Sequence, residues 1–346
     1  MKSAEVTKIA VIGTTRWGTT LAVLLASKGL EVSLWARTEE EARRLSSARQ
    51  NADSLPGVLF PDGLSVTSSM ADALRGATLV ILAVPSQRMR ANVELLKGHL
   101  REPTLILSAA KGLELSTLKR MSCVIADELD PCFHLNICVL SGPNLSKEIV
   151  AGQPAASVVA SNNLAAAQRA QALLMMPNFR VYTNSDVIGV ELGGALKNIV
   201  ALGAGMGDGL GYGDNAKAAF IIRGLTEITR LGVAAGANPL TFAGLAGAGD
   251  LIATCYSPLS RNRFVGEQLA KGRPLREILA SMEGVAEGVD TTKAALQMAQ
   301  ELGVEMPITG RTHKVLFEGL DLRQAVAELM GRRAKPEMAG MGGKMS

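Results

Sequence analysis

The stretch Ile9-Ala-Val-Ile-Gly13-Thr-Thr-Arg-Trp-Gly18-Thr-Thr-Leu21 decides the fold. Its first residues are apolar and predict a strand, its last residues open a helix, and a glycine turn joins the two. Gly13 permits the tight turn, Gly18 lets the helix pack close to the strand, and the N–H groups at the start of the helix offer a site for pyrophosphate. The spacing is that of a dinucleotide-binding fingerprint, except that Thr15 stands where the middle glycine of G-x-G-x-x-G is expected. A plain turn is the alternative interpretation.

Short apolar runs recur after this motif at a spacing typical of alternating strands and helices. The run at 77–84 is almost continuously apolar, as expected of a strand that helices cover on both faces. The alternation predicts an α/β fold, with an N-terminal Rossmann-like, doubly wound sheet over residues 1–188. We predict its strands at residues 31–35, 64–67, 77–84, 104–108, 137–140, 155–160 and 179–183, in addition to the first.

From Asp186 the pattern becomes helical, which predicts an all-α C-terminal domain over residues 189–335. Within it, the glycine-rich stretch 203–213 is expected to form a loop before the next helix. Residues 336–346, rich in Gly and Met, are expected to be a flexible tail. A length of 346 residues agrees with two domains, each large enough to bury its own core.

Composition narrows the classes of function. Hydrophobic residues make up 47% of the chain and charged residues 20%, which is the balance of a globular protein. The net charge is +4 and aromatic residues make up 3%, which argues against a stacking surface for nucleic acid and favours a small anionic ligand. The four cysteines and three histidines show no metal-ligand spacing, so we predict no metal.

Location and assembly follow from the same composition. No leader precedes the first strand and the apolar runs are short for a bilayer, so we expect a cytoplasmic protein with no membrane span. The cysteines are then expected to be buried thiols in a reducing compartment. The apolar content of the helical domain favours a homodimer.

Cofactor choice is predicted at the end of the second strand. Enzymes that select NAD place an acidic residue there, which binds the ribose hydroxyl. In this chain the position falls to Arg37, whose guanidinium can pair with a 2′-phosphate or stack on adenine. NADP(H) is therefore the preferred cofactor and NAD(H) is the second option. A solvated arginine at the strand end is the alternative interpretation.

Polar and glycine residues follow the later strands, at the sheet edge where doubly wound folds bind ligands. Pro85 closes the strand at 77–84, and Lys111 comes shortly after the strand at 104–108. The stretch 141–148, Ser-Gly-Pro-Asn-Leu-Ser-Lys-Glu, predicts a nest of N–H groups at a strand-to-helix junction. We expect Pro85 to lie beside the cofactor and Lys111 to bind a ligand, with a surface loop lysine as the alternative.

The segment 187–206 is almost wholly apolar or glycine, and its polar members are Glu191, Lys197 and Asn198. A lysine in such a run indicates an active-site face, because burying its charge costs free energy. Gly193 and the glycine after it would let backbone or ligand come close. A lysine that reaches water along the helix surface is the alternative.

Two later stretches carry further candidates. Asp250 follows the glycine-rich stretch 244–249 and heads an apolar helical turn, where helix capping and catalysis are equally consistent. Ser260-Arg-Asn-Arg263 combines two guanidinium groups, an amide and a hydroxyl in one short turn. That composition predicts a receptor for phosphate or carboxylate, with a solvated charged turn as the alternative.

Seven motifs together resemble, in order and spacing, those of the NAD(P)-dependent sn-glycerol-3-phosphate dehydrogenases over residues 8–333. The motifs are Gly13-Thr-Thr-Arg-Trp-Gly18, Ala110-Lys-Gly-Leu-Glu114, Ser141-Gly-Pro-Asn144, Glu191-Leu-Gly-Gly-Ala-Leu-Lys-Asn198, Gly249-Asp-Leu251, Ser260-Arg-Asn-Arg263 and Ala286-Glu-Gly288. The resemblance implies reversible reduction of dihydroxyacetone phosphate to sn-glycerol 3-phosphate, a phospholipid precursor, with hydride from NADPH or NADH.

The resemblance also implies roles for individual residues. The lysine that matches Lys197 is the family's acid/base toward the C2 oxygen, and Asp250 is the second catalytic candidate. The implied substrate-binding residues are Lys111, Gly142, Asn144, Lys197, Asn198, Asp250, Thr254, Ser260, Arg261 and Asn262. The implied cofactor-binding residues are Gly13, Thr15, Arg16, Trp17, Gly18, Arg37, Pro85, Lys111, Ser146, Arg261, Val285 and Glu287. Thr15 departs from the family's usual glycine, and Asn144 from the serine or threonine of many bacterial members.

The chemistry of these residues agrees with that reaction. Once hydride has reached C2, a lysine ammonium both stabilises the alkoxide and supplies the proton, without a metal. Two alternatives stay open. One is a related two-domain reductase of the ketopantoate or hydroxyacid type, whose substrate carries a carboxylate. The other is a non-catalytic NADP sensor, which only Thr15 encourages.

Overall fold

The computed structural model describes residues 7–101, 103–282, 284–334 and 336–337. They form two compact units, the first of residues up to 111 with 119–187, the second of 112–118 with residues from 188 onward. Segment 112–118 falls within the predicted N-terminal domain but packs with the helical unit, because Leu113 is 1% exposed in that unit's core. Residue 335 and residues 338–346 of the predicted flexible tail at 336–346 lie outside the described residues.

The first unit is built on one sheet. Its strands are β1 Lys8–Ile12, β2 Glu31–Trp35, β3 Leu64–Thr67, β4 Ala77–Leu82, β5 Leu105–Ser108, β6 Ile137–Ser141, β7 Ala155–Ala160 and β8 Phe179–Asn184. The eight strands lie in the order β3-β2-β1-β4-β5-β6-β7-β8, and β6 with β7 is the antiparallel pair. The order reverses beside β1, which confirms the predicted doubly wound α/β fold.

Both faces of this sheet are buried. Ile9 and Val11 belong to one apolar core and Ala10 and Ile12 to another, and all four side chains are 0% exposed. Because side chains alternate along a strand, each face needs its own layer of helices. This double covering accounts for the almost continuous apolar runs in the sequence.

Helices of the first unit connect the strands. They are α1 Arg16–Ser27, α2 Glu39–Ala48, α3 Met70–Leu74, α4 Met89–Lys97, α5 Met121–Glu128, α6 Ser146–Val150 and α7 Leu164–Leu174. Hydroxyl side chains cap the first three, since Thr15, Thr38 and Ser69 each accept a hydrogen bond from a backbone N–H in the first turn.

The second unit is helical, as predicted. Its helices are α8 Val187–Gly209, α9 Asp214–Ala234, α10 Pro239–Phe242, α11 Asp250–Tyr256, α12 Arg261–Ala270, α13 Leu275–Ala280, α14 Glu287–Glu301, α15 Pro307–Phe317 and α16 Leu322–Met330. Among the described residues α8 alone is long and apolar enough to cross a membrane, yet 83% of its most apolar stretch is buried inside the fold. It behaves as the core helix of this unit.

The predicted loop at 203–213 is wrong over most of its length, because α8 continues to Gly209. Helix α12 packs on this stretch at backbone distance. A Cβ built on Gly205 would lie 1.9 Å from the Arg263 carbonyl oxygen, and one on Gly266 would lie 1.9 Å from the Leu202 carbonyl oxygen. Glycine here serves close helix packing, which offsets its low helix propensity.

Gly205→Ala should therefore destabilise the protein by about 3 kcal/mol, because its new Cβ overlaps the backbone of α12. Gly207→Ala is the matched control on the same helix, since the nearest neighbour of its Cβ would be the Tyr212 ring at 3.9 Å. We expect the control to be neutral or up to about 1 kcal/mol more stable, as alanine favours helix. Urea unfolding followed by circular dichroism measures both changes, and equal stability of the two variants would contradict the packing argument.

Candidate active site

The fingerprint turn has the geometry that its two glycines predict. Gly13 adopts a φ of +109°, and a Cβ there would lie 2.8 Å from the Ala83 carbonyl oxygen. A Cβ on Gly18 would lie 2.1 Å from the Gly13 carbonyl oxygen. Neither position admits a larger residue, so the turn brings the start of α1 close to the ends of β1 and β4.

Thr15 replaces the middle glycine without opening the turn. Its hydroxyl donates to the Ala83 carbonyl oxygen at 2.7 Å and accepts from the Gly18 N–H at 3.1 Å. The side chain therefore caps α1. It accepts a hydrogen bond from the Gly18 N–H, one of the groups at the helix start that are expected to bind a pyrophosphate. Both of these hydrogen bonds of the Thr15 hydroxyl are therefore made within the protein.

A loop supports the turn from the side of α2. The Asn51 amide donates to the Thr14 carbonyl oxygen at 2.8 Å and to the Thr19 hydroxyl at 2.9 Å. Arg16 Nε donates to the Ser54 carbonyl oxygen at 2.8 Å. Arg37 lies exposed beyond the end of β2, and among the described residues it has no carboxylate partner. Its position is compatible with the predicted contact to a 2′-phosphate.

Several buried polar atoms around the carboxyl ends of the strands have no hydrogen-bond partner among the described residues. They are Trp17 Nε1, Ser108 Oγ, Ser141 Oγ and Asn144 Nδ2. Ser108 and Ser141 are the last residues of β5 and β6. Two of these four atoms therefore lie at the edge where a doubly wound sheet binds its ligand. Buried polar groups are normally paired. A polar ligand such as a nicotinamide dinucleotide would fit this edge, with the glycine turn against its phosphates.

The residues predicted after β5 and β6 lie together. Lys111 Nζ donates to the Gly142 carbonyl oxygen at 2.9 Å. Gly142 has a φ of +136°, and a Cβ there would lie 3.0 Å from Ser157 Cα. The Ser157 hydroxyl donates to Asn144 Oδ1 at 2.6 Å. Sequence reasoning missed Ser157, whose only signal was a hydroxyl in an otherwise apolar strand.

Ser146 and Pro85 lie at two further helix starts on this edge. Ser146 is the first residue of α6 and is buried. Pro85 precedes a short 3-10 turn, Ser86–Arg88. Both positions agree with the edge at which the cofactor residues are predicted.

Lys197 is the central residue of the site in the second unit. It is 6% exposed, and its ammonium forms an ion pair and hydrogen bond with the Asp250 carboxylate. Lys197 Nζ also donates to the Thr254 hydroxyl at 2.6 Å, and that hydroxyl donates to the Asp250 carbonyl oxygen at 2.6 Å. The three side chains form a buried polar cluster, so the alternative of a lysine that reaches water is wrong.

Helix α11 is brought to Lys197 by a close backbone approach. A Cβ on Gly193 would lie 2.8 Å from the Ala246 carbonyl oxygen, which confirms the predicted approach at this glycine. Ala246 belongs to a π-type turn, Leu245–Gly249, that leads directly into Asp250. Gly193 is one helical turn before Lys197, so the approach places the carboxylate beside the ammonium.

A second polar network joins three helices. Asn262 Nδ2 donates to Asn198 Oδ1 at 2.9 Å, and Asn262 Oδ1 accepts from the Gly288 N–H at 3.0 Å. A Cβ on Gly288 would lie 2.7 Å from the Asn198 carbonyl oxygen. This network holds the starts of α12 and α14 against α8. Contact of Asn198 and Asn262 with a substrate stays a prediction.

The residues of the predicted anion receptor at 260–263 have different roles in the structure. The Ser260 hydroxyl accepts from the Arg263 N–H at 3.2 Å and caps α12. Arg263 Nε donates to Asp208 Oδ2 at 2.6 Å, and the same oxygen accepts from Lys217 Nζ at 2.9 Å. Arg263 is thus committed to a helix-to-helix ion pair, and the prediction of two receptor guanidiniums at this turn is wrong for one of them. Sequence reasoning missed Asp208, because the stretch around it reads as a loop.

Arg261 is the guanidinium that stays a candidate for anion binding. A Cβ on Gly284 would lie 2.1 Å from Arg261 Nη1, so the segment before α14 packs directly on this side chain. Val285, 43% exposed, and Glu287, the first residue of α14, follow in the same segment. Because they follow Gly284 directly, the predicted cofactor residues Val285 and Glu287 lie in the segment that packs on Arg261.

The four cysteines differ in burial. Cys138 and Cys255 are buried, Cys123 is partly buried and Cys132 is exposed, so the expectation of buried thiols fails for Cys132. Burial raises the pKa of the Cys255 thiol to about 12 and that of Cys138 to about 11. Within the described ranges, no three His, Cys, Asp or Glu side chains are grouped as metal ligands.

The first unit has a doubly wound sheet with a dinucleotide-binding turn, and the helical unit buries a lysine-aspartate pair. These features define the class of two-domain NAD(P)-dependent dehydrogenases. Residues 8–167 match the family described as the N-terminus of NAD-dependent glycerol-3-phosphate dehydrogenase, and residues 186–327 match its C-terminus. The chain belongs to the family of NAD-dependent glycerol-3-phosphate dehydrogenases, and it is therefore an enzyme, an oxidoreductase.

Individual relatives agree over nearly the whole length. The glycerol-3-phosphate dehydrogenase [NAD(P)+] of Dehalococcoides mccartyi is 56% identical over 96% of this chain and 93% of its own. The enzyme of that name from Prosthecochloris aestuarii is 48% identical over 95% of this chain and 99% of its own. The crystal structure of glycerol-3-phosphate dehydrogenase from Coxiella burnetii matches with a TM-score of 0.90 at 37% identity, over 95% of this chain and 100% of that one.

The buried cluster makes a prediction about stability. Thr254→Val keeps the side-chain shape but removes the hydroxyl that accepts from Lys197, so the ammonium loses a partner in a buried site. We expect a loss of about 1–3 kcal/mol in unfolding free energy.

Thr254→Ser is the matched control, because it retains the hydroxyl and removes only a methyl group. It should recover at least half of the loss. Urea titrations of both variants measure the difference, and a Val variant as stable as the wild type would contradict a role for the hydroxyl in the cluster.

Proposed function

We propose that this enzyme catalyses the reversible NAD(P)H-dependent reduction of dihydroxyacetone phosphate to sn-glycerol 3-phosphate. The observation that carries the proposal is the buried Lys197 ammonium, paired with Asp250 and hydrogen-bonded to Thr254. Relatives named glycerol-3-phosphate dehydrogenase [NAD(P)+], up to 56% identical, support this substrate over others of the same size.

Lys197 is the proton donor in the direction of reduction. When bound, the reduced nicotinamide supplies the hydride to C2. Lys197 stabilises the negative charge that develops on the C2 oxygen and then transfers its proton to that oxygen. Asp250 pairs with the ammonium and orients it in the ground state, and Thr254 accepts a hydrogen bond from it. The reverse reaction uses the same lysine as the base.

Arg261 anchors the phosphate group of the substrate. A guanidinium presents two parallel N–H donors that match a phosphate, and it stays charged at all relevant pH values. Asn262 and Asn198 hold the start of α12, where Arg261 lies, against α8, the helix that carries Lys197. Fixing the phosphate places C2 against the acid, which is how binding energy lowers the barrier. Lys111, Gly142, Asn144 and Ser260 stay predictions as direct substrate contacts.

The two other functions are less well supported. Ketopantoate reductases share the fold, for example that of Ralstonia eutropha with a TM-score of 0.57, but at 16% identity the likeness extends to the fold alone. A non-catalytic sensor would have no need to bury a charged lysine-aspartate pair, whose desolvation is costly. Thr15, which encouraged that alternative, fits the turn as a helix cap.

NADP(H) is the preferred cofactor in this proposal and NAD(H) the second. Arg37, exposed beyond β2, favours the 2′-phosphate by charge. The supply of glycerol phosphate for phospholipid synthesis, a cytoplasmic location and a homodimer stay predictions.

The test of the reaction is a steady-state assay of NADPH oxidation with dihydroxyacetone phosphate and, in parallel, with 2-keto acids. The wild type should turn over the phosphate ester alone. Lys197→Ala should lower kcat by about a thousandfold or more, because no other group replaces the proton donor, while NADPH binding measured by fluorescence is retained.

Two further variants control this result. Lys314→Ala removes an exposed lysine of the same unit and should leave kcat unchanged. The pair Lys197→Met with Asp250→Asn avoids an unpaired buried carboxylate, so loss of turnover in that folded double variant reports chemistry. A Lys197→Ala enzyme with wild-type rate would reject the assigned acid, and turnover of 2-keto acids alone would reject the substrate.

Arg37→Asp tests the cofactor preference. The substitution places a negative charge where a 2′-phosphate is expected, so Kd for NADPH should rise at least about tenfold more than Kd for NADH. Fluorescence titration of the enzyme with each nucleotide gives both constants. Equal losses for the two nucleotides would refute the 2′-phosphate contact.

A further inference from the structure

Thr14 and Glu41 form a contact that the proposed mechanism does not use. Thr14 follows Gly13 in the fingerprint turn, and its hydroxyl donates to Glu41 Oε1 at 2.6 Å. Asn51 holds the Thr14 backbone carbonyl at 2.8 Å. The threonine is therefore fixed at both its backbone and its side chain, and it aims the Glu41 carboxylate at the turn.

Glu41 is not needed in this orientation for helix α2. Thr38 and Glu41 have the spacing of a capping box, in which the glutamate reaches back to the N–H of the capping residue. The Thr38 hydroxyl does accept from the Glu41 N–H at 3.2 Å. Within the described part of the chain, however, the partner of the Glu41 carboxylate is Thr14. The carboxylate is directed away from its usual structural role and toward the nucleotide turn.

The position of Glu41 coincides with the region that reads the adenosine ribose. β1 and β2 are parallel neighbours with Ile12 opposite Trp35, and the Gly13 N–H donates to the Trp35 carbonyl oxygen at 3.2 Å. The fingerprint turn and the segment after β2 therefore share one edge of the sheet. In doubly wound folds this segment distinguishes a ribose hydroxyl from a 2′-phosphate. It carries Arg37 and Glu41, which have opposite charges.

We propose that Glu41, held by Thr14, is a specificity-determining residue for the cofactor. Its carboxylate accepts hydrogen bonds from the ribose hydroxyls of NAD(H) and repels the 2′-phosphate of NADP(H), whereas Arg37 attracts that phosphate. The two side chains thus have opposite effects on the binding of NADP(H), and the preference between NADP(H) and NAD(H) depends on the relative strength of the two effects. This inference rests on the proposed function only in that the enzyme binds both nucleotides.

The test is equilibrium binding of NADPH and NADH to the enzyme without substrate. Glu41→Gln keeps the side-chain length and removes the charge. NADPH should bind more tightly and NADH somewhat more weakly, so the ratio of Kd for NADH to Kd for NADPH should rise about tenfold, the size expected for unit charges some 5 Å from a phosphate dianion at a solvated surface. At 1 M salt, where the Debye length is about 3 Å, most of that change should disappear.

Glu40→Gln is the matched control. Glu40 is the preceding residue of the same helical turn and is exposed. Its substitution removes the same unit of charge from the same end of the helix. The ratio should stay within about twofold of the wild type. A Glu41→Gln variant that shifts both nucleotides alike, or no more than Glu40→Gln does, would overturn the inference.

Thr14→Val provides a second variant in case Glu41→Gln perturbs the helix. It removes the donor that orients the carboxylate, and the ratio should rise in the same direction by a smaller factor, whereas an unchanged ratio contradicts the role of Thr14. Turnover of dihydroxyacetone phosphate is measured separately. If the wild type reduces this substrate but Glu41→Gln leaves the ratio of Kd values unchanged, only the present inference is wrong. If the ratio shifts but the wild type does not turn over this substrate, only the proposed reaction is wrong.

Discussion

The buried ion pair between Lys197 and Asp250 is the interaction on which the helical unit depends. Both side chains are almost fully removed from water, at 6% and 2% exposure, and transferring two charges into such a site costs several kcal/mol each. Part of this cost is offset by Thr254, which accepts from the ammonium and donates to the backbone of α11. Apolar residues of similar volume are often at least as stabilising as a buried ion pair, so the presence of the pair here supports the catalytic role proposed for Lys197.

Close backbone packing makes that pair possible. Glycines on α8 let neighbouring segments approach at distances that any side chain would prevent, with Gly193 facing the turn before Asp250 and Gly205 facing α12. The Asp208–Arg263 ion pair then fixes α12 against the C-terminal half of α8. The elements that carry Lys197, Asp250 and Arg261 are consequently packed together at close backbone distance.

Much of this could be predicted from the sequence, for reasons that differ between residues. The fingerprint turn is a local motif, so Gly13 and Gly18 suffice to place it. Lys197 is conspicuous because its helical neighbours are apolar. By contrast, the helical state of residues 203–209 depends on the Arg263 carbonyl, and the partner of Arg263 is Asp208, 55 residues away. Local propensity contains no information on either contact. The contact of Thr14 with Glu41 spans 27 residues and was invisible for the same reason.

The segment 112–118 has a consequence for how such an enzyme can be divided. The helical unit is discontinuous along the chain, since Leu113 belongs to its core while most of the unit begins at Ile188. A chain divided near residue 188 would leave the helical fragment without Leu113 and with a cavity in its core. A cavity of that size costs on the order of 2–5 kcal/mol, so the helical fragment alone should be less stable than the same unit within the intact chain.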